Sequence, residues 1–275
     1  MGFDPDWLAQ RAGFDTAARA TEIEARLVRH IAGLQDLRVV DLGAGTGAGL
    51  VHLAPRLGAQ LRQSWCLVER DPVLIAAGRA RLSVQPEAAG VAVNWLEADL
   101  ATADLAPVLE GAGLVHFTAL IDLAGRAWLD ALADALARAG VPVLGALTWD
   151  GRMNWDPAAA SDADAVAGFA RHQRRDKGLG GPALGPGAAP YFAEALRRHG
   201  FDVTLARSDW EIGPDHRAMH RAMVDGIAGA LVDLVDSGEA PAGLVADFRA
   251  GRAAAGPGRL VVGHLDLLGI PPGLA

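Results

Sequence analysis

The chain has 275 residues, with 25 Lys and Arg against 33 Asp and Glu for a formal charge of −8, one cysteine, and 51% hydrophobic residues. A bilayer-spanning helix needs about 20 apolar residues in succession, and the richest stretch, 260–270, is broken by His264 and Asp266, so a membrane partner is not expected. The negative balance argues against nucleic acid, which is met by concentrated basic surface, and the lone Cys66 can form neither an internal disulfide nor a thiolate metal cage.

The first ten residues carry Asp4 and Asp6 where a secretory leader would carry basic residues before an apolar core, which points to a cytoplasmic protein. The length suits one embellished α/β domain over 1–275, with 1–36 as an N-terminal helical cap. Within the cap, Ala20, Ile23, Leu27 and Ile31 fall at helical spacing, predicting one amphipathic helix over 16–31. An apolar run at 37–42 predicts a first strand, and a helix over about 48–57 follows. A second strand at 64–69 is closed by Asp71-Pro72, a cap followed by Pro at the first helical position. Further strands are predicted at 91–96, 113–118 and 141–148, with a helix over about 125–139. Strands alternating with helices at this spacing imply a doubly wound, mostly parallel sheet.

Beyond 148 the alternation stops. A helix is predicted over 161–175, followed at 178–187 by five glycines and two prolines in ten residues, which cannot sustain regular structure. This reads as a mobile loop, so 151–190 is either a lid at the carboxyl edge of the sheet or a plain surface linker. Strands at 201–206 and 259–268 enclose a helical insertion, 213–255, in which Met219, Met223, Ile227 and Leu231 recur every four positions as a core-facing seam.

The sharpest constellation is the run VVDLGAGTG at 39–47, an apolar strand entering glycines at alternate positions before a helix. Glycine is needed where backbone must approach a ligand with no Cβ in the way. The second strand ends in Glu69, placed to accept from both hydroxyls of a ribose, and the third is followed by Asp99 and Leu100. On these residues the chain resembles the class I S-adenosylmethionine-dependent methyltransferases, whose D-x-G-x-G-x-G motif is met by Asp41, Gly43, Gly45 and Gly47, with Ala44 between them. The resemblance implies an α/β fold with a seven-stranded sheet in the order 3-2-1-4-5-7-6, the seventh strand antiparallel, and S-adenosylmethionine as cofactor. It also implies that Glu69, with Arg70 beside it, meets the ribose, that Asp99 and Leu100 meet the adenine, and that Thr118 ends the fourth strand at the site. Arg19 is either a partner for the methionine carboxylate or an ordinary surface arginine. A nicotinamide enzyme is the alternative, but its G-x-G-x-x-G turn would need the third glycine one residue later, and Asp41 would repel a pyrophosphate.

Methyl transfer is an in-line displacement, so alignment and water exclusion do much of the work, and a base is needed only where the acceptor must lose a proton. Asp122 is the candidate base, or else a helix N-cap. The segment 116–122 lacks the Asn/Asp-Pro-Pro-aromatic run that resembles nucleic-acid amino methylation. Trp149 could stack on a substrate or pack in the core, and His172 and Lys177 could contact substrate from a helix at the lid or serve its C-terminal dipole. His216 and His220 share metal-ligand spacing without a third ligand, so no metal is expected. The 24 arginines to one lysine match a base-composition bias. The expected function is S-adenosylmethionine-dependent methyl transfer to a small molecule at oxygen or nitrogen, or a cofactor-binding protein on the same fold that has lost catalysis.

Overall fold

The computed structural model describes residues 4–58 and 60–273; residues 1–3, 59, 274 and 275 of the expected single-domain span lie outside the described residues. Eight strands form one sheet: β1 (Asp36–Leu42), β2 (Arg62–Glu69), β3 (Ala92–Glu97), β4 (Leu114–Thr118), β5 (Val143–Asp156), β6 (Asp202–Arg207), β7 (Trp210–Ile212) and β8 (Arg259–Ile270). Their order is β3-β2-β1-β4-β5-β8-β6, with the short β7 added against β8. β1 to β5 are mutually parallel, and β8 runs antiparallel to β5 and β6. This is the expected 3-2-1-4-5-7-6 order, with β8 in the seventh place. The eighth strand, β7, was not expected, because three residues show too little of an alternation to be read.

Ten α-helices surround the sheet among the described residues, beginning with α1 (Pro5–Ala17) and α2 (Thr21–His30). The single helix expected over 16–31 is therefore two. Helix α1 starts earlier, at a cap in which Asp4 accepts from Asp6 N and Pro5 takes the first position. The break at 18–20 is made by a distant residue: Asp266 of β8, buried at 1% exposure, accepts from the backbone N of Ala20 at 2.9 Å. Its other oxygen accepts from Leu147 N at 2.7 Å, where φ is +55° and the β5–β8 register shifts. One carboxylate thus ties the cap to the middle of the sheet, and its own burial is offset by two hydrogen bonds.

Helices α3 (Ala48–Leu53), α4 (Pro72–Leu82), α5 (Leu105–Leu109) and α6 (Arg126–Ala139) connect the parallel strands. Helix α3 ends sooner than expected, its chain tightening into a 3₁₀ turn at Ala54–Arg56 around Pro55. Two apolar clusters cover the sheet, one holding Phe117, Leu129 and Phe192 and the other Leu27, Leu50 and Trp65. A third lies at the far end, where α7 (Asp162–Gln173), α9 (Arg217–Asp236) and α10 (Leu244–Ala255) pack on one another and α7 on β5, their apolar side chains joining those of β5 and β8. Met219, Met223, Ile227 and Leu231 point into it beside Trp149 and Trp155.

Within 151–190, expected as a lid or a linker, the helix expected over 161–175 is present as α7, and two other expectations are corrected. Strand β5 continues to Asp156 instead of stopping at 148, because β8 is long enough to pair with it as far as Asp156↔Arg259. The segment 178–187 is packed instead of open: Gly125 N donates to Leu179 O at 2.8 Å, Leu184 N to Ala124 O at 2.9 Å, and Leu179 and Ala183 are buried. Helix α8 (Ala188–Arg198) follows directly. Among the described residues no helix is long and apolar enough to cross a membrane, and no group of three or more His, Cys, Asp and Glu side chains is placed to hold a metal. His216 is the N-cap residue of α9, and His220 Nε2 bonds Gly213 O at 3.1 Å.

Candidate functional site

In open α/β sheets ligands lie beyond the carboxyl ends of the strands. A cavity of about 420 Å³ occupies that position here, within the size range of small-molecule sites. Its floor is the loop after β1. Ala44 N donates to Val68 O at 3.0 Å and Gly47 N to Ala44 O at 2.9 Å, so the loop folds back on β2 before α3 begins. Gly43, Ala44 and Gly45 line the cavity. At Gly45 φ is +56°, and a Cβ there would lie 3.2 Å from the Leu8 side chain, so a larger residue would be both strained and intrusive. Gly47 does not line the cavity; its Cβ position faces Leu82 of α4 at 3.1 Å.

An acid stands at or just beyond the tip of each of the first three strands. Asp41 of β1 is buried and accepts from His116 Nδ1–H at 2.8 Å, a pairing across β1 and β4 that orients the carboxylate. Glu69 of β2 accepts from Gly45 N at 2.9 Å through one oxygen, and from Arg70 N and Asp71 N at 2.8 and 3.0 Å through the other. It therefore braces the glycine loop against the end of β2. Asp99, after β3, accepts from Ala101 N at 3.0 Å and lies 3.7 Å from the Arg70 guanidinium. Leu100, Thr118 and Arg70 complete the expected cofactor residues found in the wall.

The remaining wall comes from two regions far away in sequence. Leu8, Arg11 and Asp15 of α1 line the cavity. Arg11 Nε donates to Asp15 at 2.9 Å, Trp210 Nε1 donates to the other Asp15 oxygen at 3.1 Å, and the Arg11 guanidinium lies 4.9 Å over the Trp210 ring. None of these three wall residues was singled out from the sequence. The i, i+4 spacing of Arg11 and Asp15 was visible, but it marks an ordinary surface pair equally well. The other region is Lys177, Gly178 and Leu179. Burial, then the nearby positive charge of Arg175, holds the Lys177 amine below the ordinary lysine range.

Four other expected residues stand behind the wall. Arg19 is 7% exposed and donates to Thr118 Oγ1 at 3.1 Å. Asp122 lies in a 3₁₀ turn between the wall residues Leu120 and Leu123, and burial pushes its carboxyl up to about 6. It does not cap a regular helix, since α6 starts after Gly125. Trp149 is 5% exposed and meets Phe169 edge-on at 5.1 Å inside the third cluster, which answers the choice between stacking and core in favour of core. His172 is buried, its Nε2–H donating to Asp233 at 3.0 Å and its Nδ1 lying 3.4 Å from Lys177 Nζ.

Five carboxylates line the cavity (Asp15, Asp41, Glu69, Asp71 and Asp99) against three basic side chains (Arg11, Arg70 and Lys177). The rest of the wall is largely leucine and glycine. Such a chamber suits a ligand with positive charge, hydroxyls and a flat apolar part better than a diphosphate, whose charge would meet the acids at close range.

No family model matches the sequence, and no curated protein matches it. Solved structures do resemble it in three dimensions. A cyclopropane-fatty-acyl-phospholipid synthase-like protein from Lactobacillus casei aligns over 94% of this chain and 98% of its own, at 16% identity and a TM-score of 0.51. The YcgJ protein from Bacillus subtilis aligns over 91% and 98%, at 11% identity and a TM-score of 0.50. With its strand order and the antiparallel β8, the chain has the Rossmann-like fold of the class I methyltransferases.

Proposed function

We propose that this protein transfers the methyl group of S-adenosylmethionine to a small-molecule acceptor, at oxygen or nitrogen, in the cytoplasm. The observation that carries this reading is the acid series at the ends of β1, β2 and β3 around a glycine floor in a cavity with more carboxylates than cations. On this reading Glu69 takes the ribose hydroxyls, Asp99 and Leu100 the adenine, and the 43–45 backbone the junction between sugar and sulfur. Asp41, oriented by His116, faces the amino group of the methionine end. Arg11 lines the cavity and Arg19 reaches its edge through Thr118, so both are suited to the methionine carboxylate.

When bound, the cofactor supplies an electrophilic methyl carbon on a positively charged sulfur. The chain's own part is to align the acceptor with that carbon and to exclude water. Leu8, Leu74, Leu120, Leu123 and Leu179 give the chamber apolar walls. Lys177 is the wall residue we assign to the acceptor side, while Asp122, His172 and Trp149 support the cavity from behind. A nicotinamide cofactor fits less well, because its diphosphate would meet the same acids.

Titration calorimetry with S-adenosylmethionine, S-adenosylhomocysteine and reduced nicotinamide dinucleotides tests the assignment directly. Binding of the two sulfur compounds alone is expected, and nicotinamide binding without them would overturn it. Mass spectrometry of a metabolite extract incubated with methyl-labelled cofactor and the protein then identifies the acceptor. Tight binding of the cofactor with no labelled product from any extract would favour a non-catalytic binding protein.

A further inference from the structure

The chain uses arginine at 24 of its 25 basic positions, and the single lysine lies in the wall of the cavity. A composition bias toward arginine accounts for the 24. It does not account for the place of the exception. A guanidinium cannot be deprotonated in a protein, whereas a lysine amine can lose its proton when it is desolvated, so a site that needs a basic lone pair is one that arginine cannot fill.

Two features around Lys177 ease the loss of its proton, its burial and an imidazole nitrogen placed to accept from its amine. His172 is buried, and its Nε2–H donates to Asp233 of α9 at 3.0 Å, which leaves Nδ1 as an acceptor. Lys177 Nζ sits 3.4 Å from that Nδ1, long for a hydrogen bond, and no other residue among the described ones bonds it. A neutral amine donating one N–H to Nδ1 keeps its lone pair for the cavity. Arg175, whose positive charge also acts on Lys177, is itself tied to Glu239 and Ser237. Burial of Lys177 and the Arg175 charge both favour loss of its proton, while Asp233 opposes it. Burial, the largest cause, keeps His172 below the ordinary histidine range. The other charges lining the same cavity are the five carboxylates, Arg11 and Arg70 named above.

We propose that Lys177 is the base of this site, a catalytic residue whose Nζ takes the proton of the methyl acceptor, with His172 and Asp233 as the positioning residues that hold its amine. This rests on the methyl-transfer reading and deepens it: the acceptor is a molecule whose reacting oxygen or nitrogen carries a proton. As the acceptor atom forms its bond to the methyl carbon, that proton passes to the Nζ lone pair and the electrons of the old bond stay on the acceptor. The carbon–sulfur bonding pair remains on sulfur. Lys177, now an ammonium, returns its proton to solvent after product leaves.

The lone lysine makes the test clean. In protein labelled with ¹⁵N-lysine, one side-chain amine signal is followed against pH without any ligand. Its midpoint is expected below the ordinary lysine range and lower still in Asp233→Asn, which removes the charge that opposes proton loss. A midpoint at the ordinary value, or one unmoved by Asp233→Asn, overturns the proposal. Lys177→Arg is then compared with wild type for transfer of labelled methyl from S-adenosylmethionine into a metabolite extract. Transfer is expected to fall by about a hundredfold or more, with cofactor affinity by calorimetry unchanged within twofold, while Arg rescue would show that the position holds charge and would overturn the base assignment. If wild-type protein binds no S-adenosylmethionine, the functional reading fails and this one with it; if it binds and transfers but Lys177→Arg keeps pace, only the base assignment falls.

Discussion

Two glycine-rich segments contribute wall to one cavity, and they use glycine for different ends. In 43–47, Gly43 and Gly45 line the cavity with positive φ, and a Cβ on either would meet only the end of a leucine side chain. In 178–187 the room is consumed by the protein itself: a Cβ on Gly125 would lie 2.1 Å from the Gly180 carbonyl oxygen, and one on Gly180 would lie 2.6 Å from the Trp128 Cβ. Similar composition thus yields a cradle in one place and a backbone-to-backbone seam in the other. Between them runs the turn from Leu120 to Gly125, whose first residue touches Gly43 and whose last bonds Leu179.

The contrast can be broken at either end. The largest effect is expected from Gly125→Ala, where the clash is with backbone and cannot be relieved by a rotamer change. It should cost about 3 kcal/mol in urea unfolding, while the folded fraction keeps its cofactor affinity in calorimetry. Loss of affinity with unchanged stability would place the seam's function at the ligand instead. Gly45→Val should do the reverse, weakening S-adenosylmethionine binding by about thirtyfold, roughly 2 kcal/mol, with the larger share of its effect in binding.

The turn between the segments gives a pH test of similar size. Burial raises the Asp122 carboxyl from 3.8 to about 6, so the folded chain holds that proton more tightly than the unfolded one. The stability it confers is full below 3.8 and is lost as pH rises through about 6. Asp122→Asn should therefore change stability little at pH 3.5 and add about 2 kcal/mol at pH 8, read from urea midpoints at the two pH values. The smallest effect is expected from Glu69→Ala, which removes both the brace on Gly45 N and the ribose partner. About a tenfold loss of cofactor affinity, 1.4 kcal/mol, is expected from calorimetry, and wild-type affinity would contradict the placement of the ribose.

The legible part of the site was the part carried by local sequence. Asp41, Gly43, Gly45, Glu69, Asp99 and Leu100 each lie within a few residues of the end of a strand, so reading the strands placed them. Leu8, Arg11 and Asp15 escaped because a charged pair one helical turn apart reads as surface until Trp210, 195 residues away from Asp15, covers it. Trp149 was placed between two possibilities by the same gap in information, since an aromatic on a strand faces core or ligand according to what packs on it, here Phe169 of α7.

Periodicity and turn chemistry by themselves determined the parallel sheet, the glycine floor, the acid series and the long helical seam of Met219 to Leu231, because each depends on neighbours within a few residues. Tertiary structure decided the break between α1 and α2, the reach of β5 and the packing of 178–187. The break and the packing are set by hydrogen bonds or steric contacts between residues 54 or more positions apart: Asp266 with Ala20 and Leu147, and Gly125 with Leu179 and Gly180. Such contacts leave no period in the sequence, since a buried carboxylate or a close-packed glycine is stable only once its distant partner has arrived.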